Sequence, residues 1–237
     1  MTENDKAGLK EAFDSSPYLV WILKGDNNNK LLDKEDANDM TALTSYRMDF
    51  VIYLGETYGH IIKSVDNNDK FQGAVILLPP VSTFLFQQAY MRKAILHNGM
   101  PPSCIWNDPS RKARYQAFGD AMTKHHREVM HDCMEDHWYI LILGVAPSAQ
   151  GKQVGTRLLQ QAIHLANNNE GDDDDDDNHK RKPIYLDCQN QHVSYYEKFG
   201  FQCAKNYALE TPKEQGASSN DDSTNTFYFN AMRRDPQ

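Results

Sequence analysis

A change of hydrophobic period between residues 138 and 166 constrains the fold of this chain more than any other feature. Trp138 to Val145 reads WYILILGV, an unbroken apolar run typical of a strand buried on both faces. Beyond Pro147 the apolar residues recur at the three- and four-residue spacing of one helical face. They are Leu158, Leu159, Ala162, Ile163 and Ala166. The segment therefore predicts a strand, a short loop and a helix that packs on a sheet.

The loop between this strand and this helix is a candidate anion site. Gln150 to Thr156 reads QGKQVGT, and its two glycines allow backbone N–H groups to turn toward a ligand. The first turn of the helix adds unpaired donors and the positive end of the helix dipole. The spacing fits neither the phosphate loop of nucleotide hydrolases nor the three-glycine dinucleotide motif. A plain crossover with glycines at its turn explains the same residues.

A second motif lies further along the chain. Ile184 to Cys188 (IYLDC) predicts a short strand, and after Asn190 the chain continues with Val193 to Phe201 (VSYYEKFGF). Together with Val145 to Gly155 (VAPSAQGKQVG), this pattern resembles the GCN5-related N-acetyltransferases (GNAT). Their acyl-CoA signature Q/R-x-x-G-x-G/A follows a strand that ends in V-x-P, and their second motif ends in Y-x-x-x-G-F. The resemblance runs from about Ser45 to the C-terminus and is nearest to puromycin-type acetyltransferases.

This resemblance implies a fold and an activity. The fold is α/β (α+β), with a mixed central sheet that splays at the acyl-CoA site and flanking helices. The activity is transfer of an acetyl group from acetyl-CoA to a primary amine, by direct attack in a ternary complex. The partners are acetyl-CoA and an amine acceptor, either a small molecule or a peptide. The implied cofactor-binding residues are Val145, Gln150, Gly151, Lys152, Gln153, Val154, Gly155, Thr156 and Asn190.

The resemblance also suggests catalytic residues. Tyr196 matches the tyrosine of Y-x-x-x-G-F and is expected to act as general acid toward the thiolate, with core packing as its structural alternative. Its neighbour Tyr195 is expected to face the opposite way and pack. Candidate general bases are Asp187, where puromycin-type relatives carry an acidic residue, and His137 on the signature strand. Either can equally be a structural hydrogen-bonding residue, and a water chain can replace a single base.

One residue departs from the family signature. The first signature glycine falls on Gln153, and this chain has a glycine two positions earlier, at Gly151. A side chain at Gln153 costs about 1 kcal/mol or more if the backbone there must be left-handed. The alternative function is therefore a non-catalytic GNAT-fold interaction module that binds CoA weakly or not at all.

Composition bounds the remaining possibilities. We expect residues 1–237 to form a single acetyltransferase domain, with a helical insertion at about 85–132 and a disordered acidic loop at about 167–182. Six units of the net charge of −8 come from the run Asp172 to Asp177, so no basic nucleic-acid-binding face is indicated. Since neither a cleavable signal nor a long apolar run is visible, we expect an intracellular, cytoplasmic protein without membrane contact, with a nuclear location also open.

A metal site is the competing hypothesis. Histidine and cysteine cluster at His125, His126, His131, Cys133 and His137, but the spacing matches no zinc motif, so we expect no metal. The four cysteines lack C-x-x-C pairing and are expected to be reduced thiols.

The other elements are predicted from periodicity and turn residues. Helices are expected from Leu9 to Phe13, Thr44 to Tyr58, Gln87 to His97 and Arg111 to Asp132. Strands are expected at Tyr18 to Leu23, in a hairpin of His60 to Val65 with Phe71 to Leu78, and in a closing pair of Phe201 to Glu210 with Thr226 to Arg233. Asp26 to Asn38 and Thr211 to Asn225 are expected to be polar loops. Gly144 is expected to mark a bulge that opens the cofactor slot.

Overall fold

In a computed structural model, six strands of the described residues form one mixed sheet. The structure describes residues 1–14, 16–25, 34–80, 92–133, 136–168, 181–210 and 226–236. The strands are β1 (His60–Val65), β2 (Phe71–Leu78), β3 (Trp138–Val145), β4 (Ile184–Gln189), β5 (Gln202–Glu210) and β6 (Thr226–Arg234). Their order across the sheet is β1-β2-β3-β4-β6-β5. Only the central pair, β3 with β4, is parallel, and the other pairs are antiparallel.

Helices cover both faces of this sheet. They are α1 (Glu3–Phe13), α2 (Pro17–Lys24), α3 (Lys34–Tyr58), α4 (92–98), α5 (Ser103–Trp106), α6 (Pro109–Val129), α7 (Val154–Asn168) and α8 (Val193–Glu197). The α/β class that the sequence predicts is therefore confirmed. Among the described residues, no helix combines the length and the apolar character needed to cross a membrane.

The hairpin of β1 with β2 and the helix α3 lie where the hydrophobic patterns predict a hairpin and a helix. The β1–β2 hairpin turns at Asp66, whose carboxylate accepts from the amides of Asn68 and Lys70. The helix predicted from Thr44 is α3, which begins earlier, at Lys34, so the predicted polar loop is wrong from residue 34 onward. Its residues 26–33 lie outside the described part of the chain. Three other predicted segments lie wholly or partly outside the described residues. They are residues 87–91 of the helix predicted from Gln87, the loop Thr211 to Asn225, and most of the acidic segment.

The predicted first strand, Tyr18 to Leu23, is wrong. These residues form α2, which begins at Pro17 in a position that needs no backbone N–H, and ends at Gly25 with a left-handed φ of 76°. Leu19 to Leu23 are all buried, so the helix has no polar face and shows no 3.6-residue period. An apolar run this short does not distinguish a strand from a fully buried helix.

The core has two parts that together span the sheet. One part joins the C-terminal half of α3 and the apolar face of α7 to β2 and β3. The other joins α2, α6 and the start of α3 to one face of β4, β5 and β6. Arg114 of α6 donates to the carbonyl oxygens of Ile22 and Leu23, each at 2.8 Å, and so satisfies buried acceptors at the end of α2. This contact fixes α2 against α6 beside the second part of the core.

Candidate active site

The central strands β3 and β4 separate partway along their length. They pair in register only from Trp138 to Ile140 against Ile184 to Leu186. Beyond that point β3 continues to Val145 and β4 to Gln189, each paired only with its other neighbour. We call the gap between Leu141–Val145 and Asp187–Gln189 the slot. Its walls carry backbone groups without a strand partner, which can pair with an extended amide-containing ligand.

The bulge that accompanies the slot is not at Gly144. The register of β2 against β3 shifts where Ile76 pairs with Ile142 and Leu77 pairs with Ile140, which leaves Leu141 as the extra residue. A bulge at that position bends β3 just where its pairing with β4 ends. Gly144 pairs regularly with Ala74.

Gly144 is required instead by helix packing. A Cβ at this position would lie 2.5 Å from the ring of Phe13 and 2.8 Å from a methyl group of Leu9. The end of α1 therefore lies directly on β3 beside the slot. Sequence reasoning missed this wall, because nothing in the periodicity of α1 indicates which strand it covers.

The signature loop turns through two left-handed residues. Gly151 has φ of 74° and Gln153 has φ of 59°. The amide of Arg157 donates to the carbonyl of Gln153 at 3.1 Å, which closes the first turn of α7. The preceding amides, at Val154, Gly155 and Thr156, belong to the turn that has no acceptor within its own helix. These amides form the positive end of the helix dipole, and this end suits a phosphate group.

Gly155 permits the close approach of three elements. A Cβ there would lie 3.3 Å from Val145 Cγ2 and 3.4 Å from the hydroxyl of Tyr195. The Tyr195 hydroxyl is buried beside Thr156 and makes no hydrogen bond of good geometry with any described residue. A buried donor of this kind is costly unless something satisfies it, so the loop offers a phosphate or pantetheine group both backbone and side-chain donors. The residues present therefore fit an acyl-CoA.

A cavity of about 740 Å³ joins the slot to this loop. Seven of the nine residues that the sequence predicts for cofactor binding line it, whereas Lys152 and Asn190 do not. The seven are Val145, Gln150, Gly151, Gln153, Val154, Gly155 and Thr156, and Tyr195 and Tyr196 also line it. The lining residues that sequence reasoning missed include Phe13, Ser16 and Pro17, at the junction of α1 and α2.

The side chain of Asn190 is held by strands β5 and β6. Its side-chain oxygen accepts from Asn230 Nδ2 at 2.6 Å and from Asn206 Nδ2 at 3.2 Å. These bonds tie the start of α8 to β5 and β6. The predicted contact of Asn190 with the cofactor arm stays a prediction.

Tyr195 and Tyr196 both face the cavity. The expectation that Tyr195 points the opposite way is wrong, because the two residues lie on helix α8, where neighbours are about 100° apart rather than 180°. Their rings meet edge to face with centroids 5.1 Å apart. Burial, then the neighbouring Cys188 and Tyr195, raise the pKa of Tyr196 well above its usual value. Tyr196 therefore keeps its proton throughout the neutral pH range.

Asp187 is the first residue of β4 beyond its pairing with β3, at the narrow end of the slot, and is surrounded by tyrosine hydroxyls. Tyr185 and Tyr207 donate to its Oδ1 at 2.7 and 3.1 Å, and Tyr139 donates to its Oδ2 at 3.5 Å. Burial raises the pKa of Asp187 to about 7, although all three hydroxyls stabilise the ionised form and oppose the shift. A carboxylate with that pKa is half protonated at neutral pH.

The tyrosines around Asp187 are held in turn by two histidines of α6. His126 stacks on Tyr185 and His125 stacks on Tyr207, each with ring centroids 4.1 Å apart. The two histidines are adjacent in sequence, and each supports one of the two hydroxyls that bond to the same carboxylate oxygen. The histidine cluster thus has a packing role that its spacing in the sequence does not indicate.

His137 lies in a closed pair away from the cavity. Its Nδ1 is 2.9 Å from the carbonyl of Cys133, so Nδ1 carries the proton, and its Nε2 accepts from His126 Nε2 at 2.7 Å. Burial lowers the pKa of both histidines, that of His126 to about 3. His137 has no exposed surface, and both of its ring nitrogens are engaged. Across the described ranges, no three histidine, cysteine or acidic side chains come together as metal ligands.

Asp187 and Tyr196, the candidates for proton transfer, thus lie on opposite faces of the sheet. Asp187 and Tyr185 face α6 and belong with the second part of the core, whereas Cys188 and the ring of Tyr196 face α7. Adjacent residues of a strand alternate between faces, which is why Asp187 and Cys188 diverge. Tyr196 lines the cavity, whereas Asp187 and His137 do not.

Comparison with known proteins agrees with this geometry. Residues 113–203 match the family model of the acetyltransferase (GNAT) domain. The match begins within α6 and includes the slot, the signature loop and both tyrosines of α8. This part of the chain is therefore similar to the GNAT acetyltransferase domain, as its sequence motifs predict. Its place in the puromycin-type branch stays a prediction.

Solved structures similar to this chain include acetyltransferases. The structure of a histone acetyltransferase HPA2 and related acetyltransferase from Corynebacterium glutamicum is 17% identical, with 100% of this chain and 94% of that chain covered and a TM-score of 0.50. A mosquito arylalkylamine N-acetyltransferase like 5b is 14% identical over 98% and 95%, with a TM-score of 0.47. At 17% identity the likeness to the Corynebacterium structure concerns the fold alone. No curated protein sequence matches the chain.

The left-handed backbone of Gln153 predicts how a glycine at this position changes stability. Replacing Gln153 by Gly removes the steric cost of φ 59°, so the free energy of unfolding should rise by up to about 1 kcal/mol. Urea denaturation measures the change. The matched control is Gln150→Gly, since Gln150 has φ of −63° and glycine there relieves no strain, although it adds flexibility and removes one exposed hydrogen bond from Gln150 Nε2 to the Val145 carbonyl at 3.4 Å. If Gln153→Gly is no more stable than Gln150→Gly, the loop is not strained at Gln153.

Proposed function

We propose that the chain transfers an acetyl group from acetyl-CoA to a primary amine, by direct attack in a ternary complex. One observation carries the proposal: a single cavity unites an unpaired strand edge, the amino end of α7 and the side chain of Tyr196. The strand edge suits the amides of a pantetheine arm. The helix end suits its pyrophosphate, and Tyr196 stands beside the slot through which the thioester would pass.

The reaction needs balanced proton transfers. An acceptor ammonium resembling that of lysine has a pKa of about 10.4 and must lose a proton before it can attack. The neutral nitrogen then forms a bond to the thioester carbonyl carbon, and the carbon–sulfur bond breaks. The second proton that nitrogen loses on becoming an amide balances the proton that sulfur gains, so the products are the acetylated amine and CoA.

Tyr196 is the proposed acid. Its pKa is raised above that of an ordinary phenol, whereas a thiol has a pKa of about 8.5. Full transfer of the phenolic proton to a free thiolate is therefore uphill. Tyr196 contributes best as a hydrogen-bond donor to the sulfur while negative charge develops on it, which stabilises the transition state more than the ground state.

Asp187 is the proposed base. Its pKa of about 7 is suited to accepting a proton at neutral pH, and it lies at the narrow end of the slot, where the pairing of β3 with β4 ends. His137 is less suited, because both of its ring nitrogens are engaged within the protein. Acid and base on opposite faces let the acceptor approach from one side while the donor enters from the other.

The non-catalytic alternative rests on Gln153. Its left-handed backbone shows that the position suits glycine, as in the family signature, and the side chain there adds strain to the loop. The strain is small beside the free energy of micromolar binding, which is about 8 kcal/mol. We therefore favour the enzyme, and measurement of acetyl-CoA binding separates the two functions.

Binding of acetyl-CoA is the first test. Isothermal titration calorimetry should give micromolar affinity for the native chain, and Gly155→Glu should abolish it, since the added carboxylate enters the space beside Val145 and Tyr195 and repels phosphate. The control is Gly119→Glu, because a side chain at Gly119 on α6 meets nothing within 4 Å. Absence of binding to the native chain favours the interaction module.

The role of Tyr196 is tested by Tyr196→Phe. Turnover should fall by about 100-fold while the affinity for acetyl-CoA is retained, because only the donor to the developing thiolate is lost. Steady-state kinetics and calorimetry measure the two quantities. Tyr228→Phe is the control, as Tyr228 is exposed on β6. Equal turnover in Tyr196→Phe removes this residue from the mechanism.

The role of Asp187 is tested by pH dependence. If the ionised carboxylate is the base, kcat should rise about tenfold per pH unit below a break near pH 7 and level off above it. Asp187→Asn should be slow and lack that break, whereas Asp120→Asn on the exposed side of α6 should keep it. The break should stay near pH 7 for two acceptors whose amine pKa values differ. A break that moves with the amine excludes Asp187 as the base.

A further inference from the structure

Arg47 of α3 is a charged residue in an apolar stripe. It follows buried Leu43 by one helical turn and precedes buried Val51 by another, so its side chain points toward the core. Its guanidinium carbon lies 5.7 Å from the centre of the Phe118 ring. Its Nε is buried and has no hydrogen-bond partner in the described parts of the chain.

Two other inward-facing arginines, both on α6, have partners that explain them. Arg111 pairs with Asp36, Asp39 and Asp108, and Arg114 donates to backbone carbonyls. Arg47 has no ion pair with any described acidic residue. The hydroxyls of Tyr18 and Tyr115 lie within hydrogen-bonding reach of its guanidinium, so only its Nε lacks a partner among the described residues. Burial disfavours the charge, but these hydroxyls hold the pKa of Arg47 above its usual value, so it remains a cation. Cations this deep are rarely left without a counter-ion.

A second unsatisfied donor lies beside it. Thr44, three residues before Arg47 and on the same face of α3, has no exposed surface, and its hydroxyl has no hydrogen-bond partner among the described residues. A buried hydroxyl without a partner costs free energy, as does a guanidinium nitrogen. Two neighbouring donors that lack acceptors point to an anionic ligand with more than one oxygen.

Tyr139 links this donor pair to the proposed base. Burial and Asp187 raise the pKa of Tyr139, whereas Arg47 opposes them, so its hydroxyl lies within the electrostatic range of both charges. The Tyr139 hydroxyl is 3.5 Å from Asp187 Oδ2. Arg47, Tyr139 and Asp187 each retain partial solvent access although protein surrounds them. The carboxylate of Asp187 and the guanidinium of Arg47 therefore both lie near the hydroxyl of Tyr139.

We infer that the acceptor is a zwitterion of the amino-acid class. Its amine lies against Asp187, and its carboxylate is bound by Arg47 and Thr44. A carboxylate matches the fork of a guanidinium in geometry and charge. Its second oxygen can accept from the Thr44 hydroxyl. This inference rests on the proposed function and deepens it by naming the acceptor class.

The test compares acceptors that differ only in the carboxylate. Phenylalanine, phenylalaninamide and phenethylamine share an aromatic body and a primary amine. With the native chain, kcat/KM should be about 10- to 100-fold higher for the acid than for the amide or the amine, because the charged hydrogen bonds are lost with the carboxylate. Arg47→Met should abolish this preference. Arg47→Lys should recover part of it, since the charge remains and the fork does not.

Controls keep this inference separate from the proposed function. Arg92→Met, at an exposed arginine of α4, should keep the full preference, and circular dichroism checks that each variant is folded. Calorimetry of phenylalanine with the native chain and with Arg47→Met measures carboxylate binding without turnover. Acetylation of phenethylamine equal to that of phenylalanine, unchanged in Arg47→Met, overturns the inference and leaves the function standing. Failure to bind acetyl-CoA overturns the function, and loss of phenylalanine binding in Arg47→Met still supports the anion site.

Discussion

The loss of pairing between β3 and β4 beyond Ile140 is the constraint on which the rest of the structure depends. Two strands that run side by side normally satisfy each other's backbone groups, so ending their pairing inside a sheet leaves buried donors and acceptors without partners. The bulge at Leu141 bends β3 away, α1 covers one wall of the opening, and α7 begins at its far end. Each feature either makes the slot or supplies groups for a ligand within it.

The slot also explains why the candidate chemistry is divided between the two faces of the sheet. Tyr196 comes from α8 on the side of α7, whereas Asp187 and its tyrosines face α6. The environment of Asp187 is built in layers, since His125 and His126 support Tyr207 and Tyr185, whose hydroxyls bond to the carboxylate. The three hydrogen bonds lower the pKa of Asp187, whereas burial raises it, and burial has the larger effect.

Sequence patterns predicted the elements whose periods are long and clear. β3 and α7 were found because the apolar spacing changes from continuous to helical at Pro147, and the loop between them carries a recognisable signature. α2 was mistaken for a strand because a helix buried on every side has no polar face. The orientation of Tyr195 was mistaken because alternation was assumed where the backbone is helical. Arg47 was missed, although a cation in the stripe that contains Leu43 and Val51 was visible in the sequence.

The short contact between the central strands has a mechanical consequence. The half-sheet β1-β2-β3 meets the half-sheet β4-β6-β5 over only three residue pairs, Trp138 with Ile184, Tyr139 with Tyr185 and Ile140 with Leu186. An extended ligand that hydrogen-bonds along the slot acts as an additional strand edge and lengthens this seam. Donor binding then stiffens the joint between the halves as well as filling a cavity, and the amides that face the slot gain protection from hydrogen exchange.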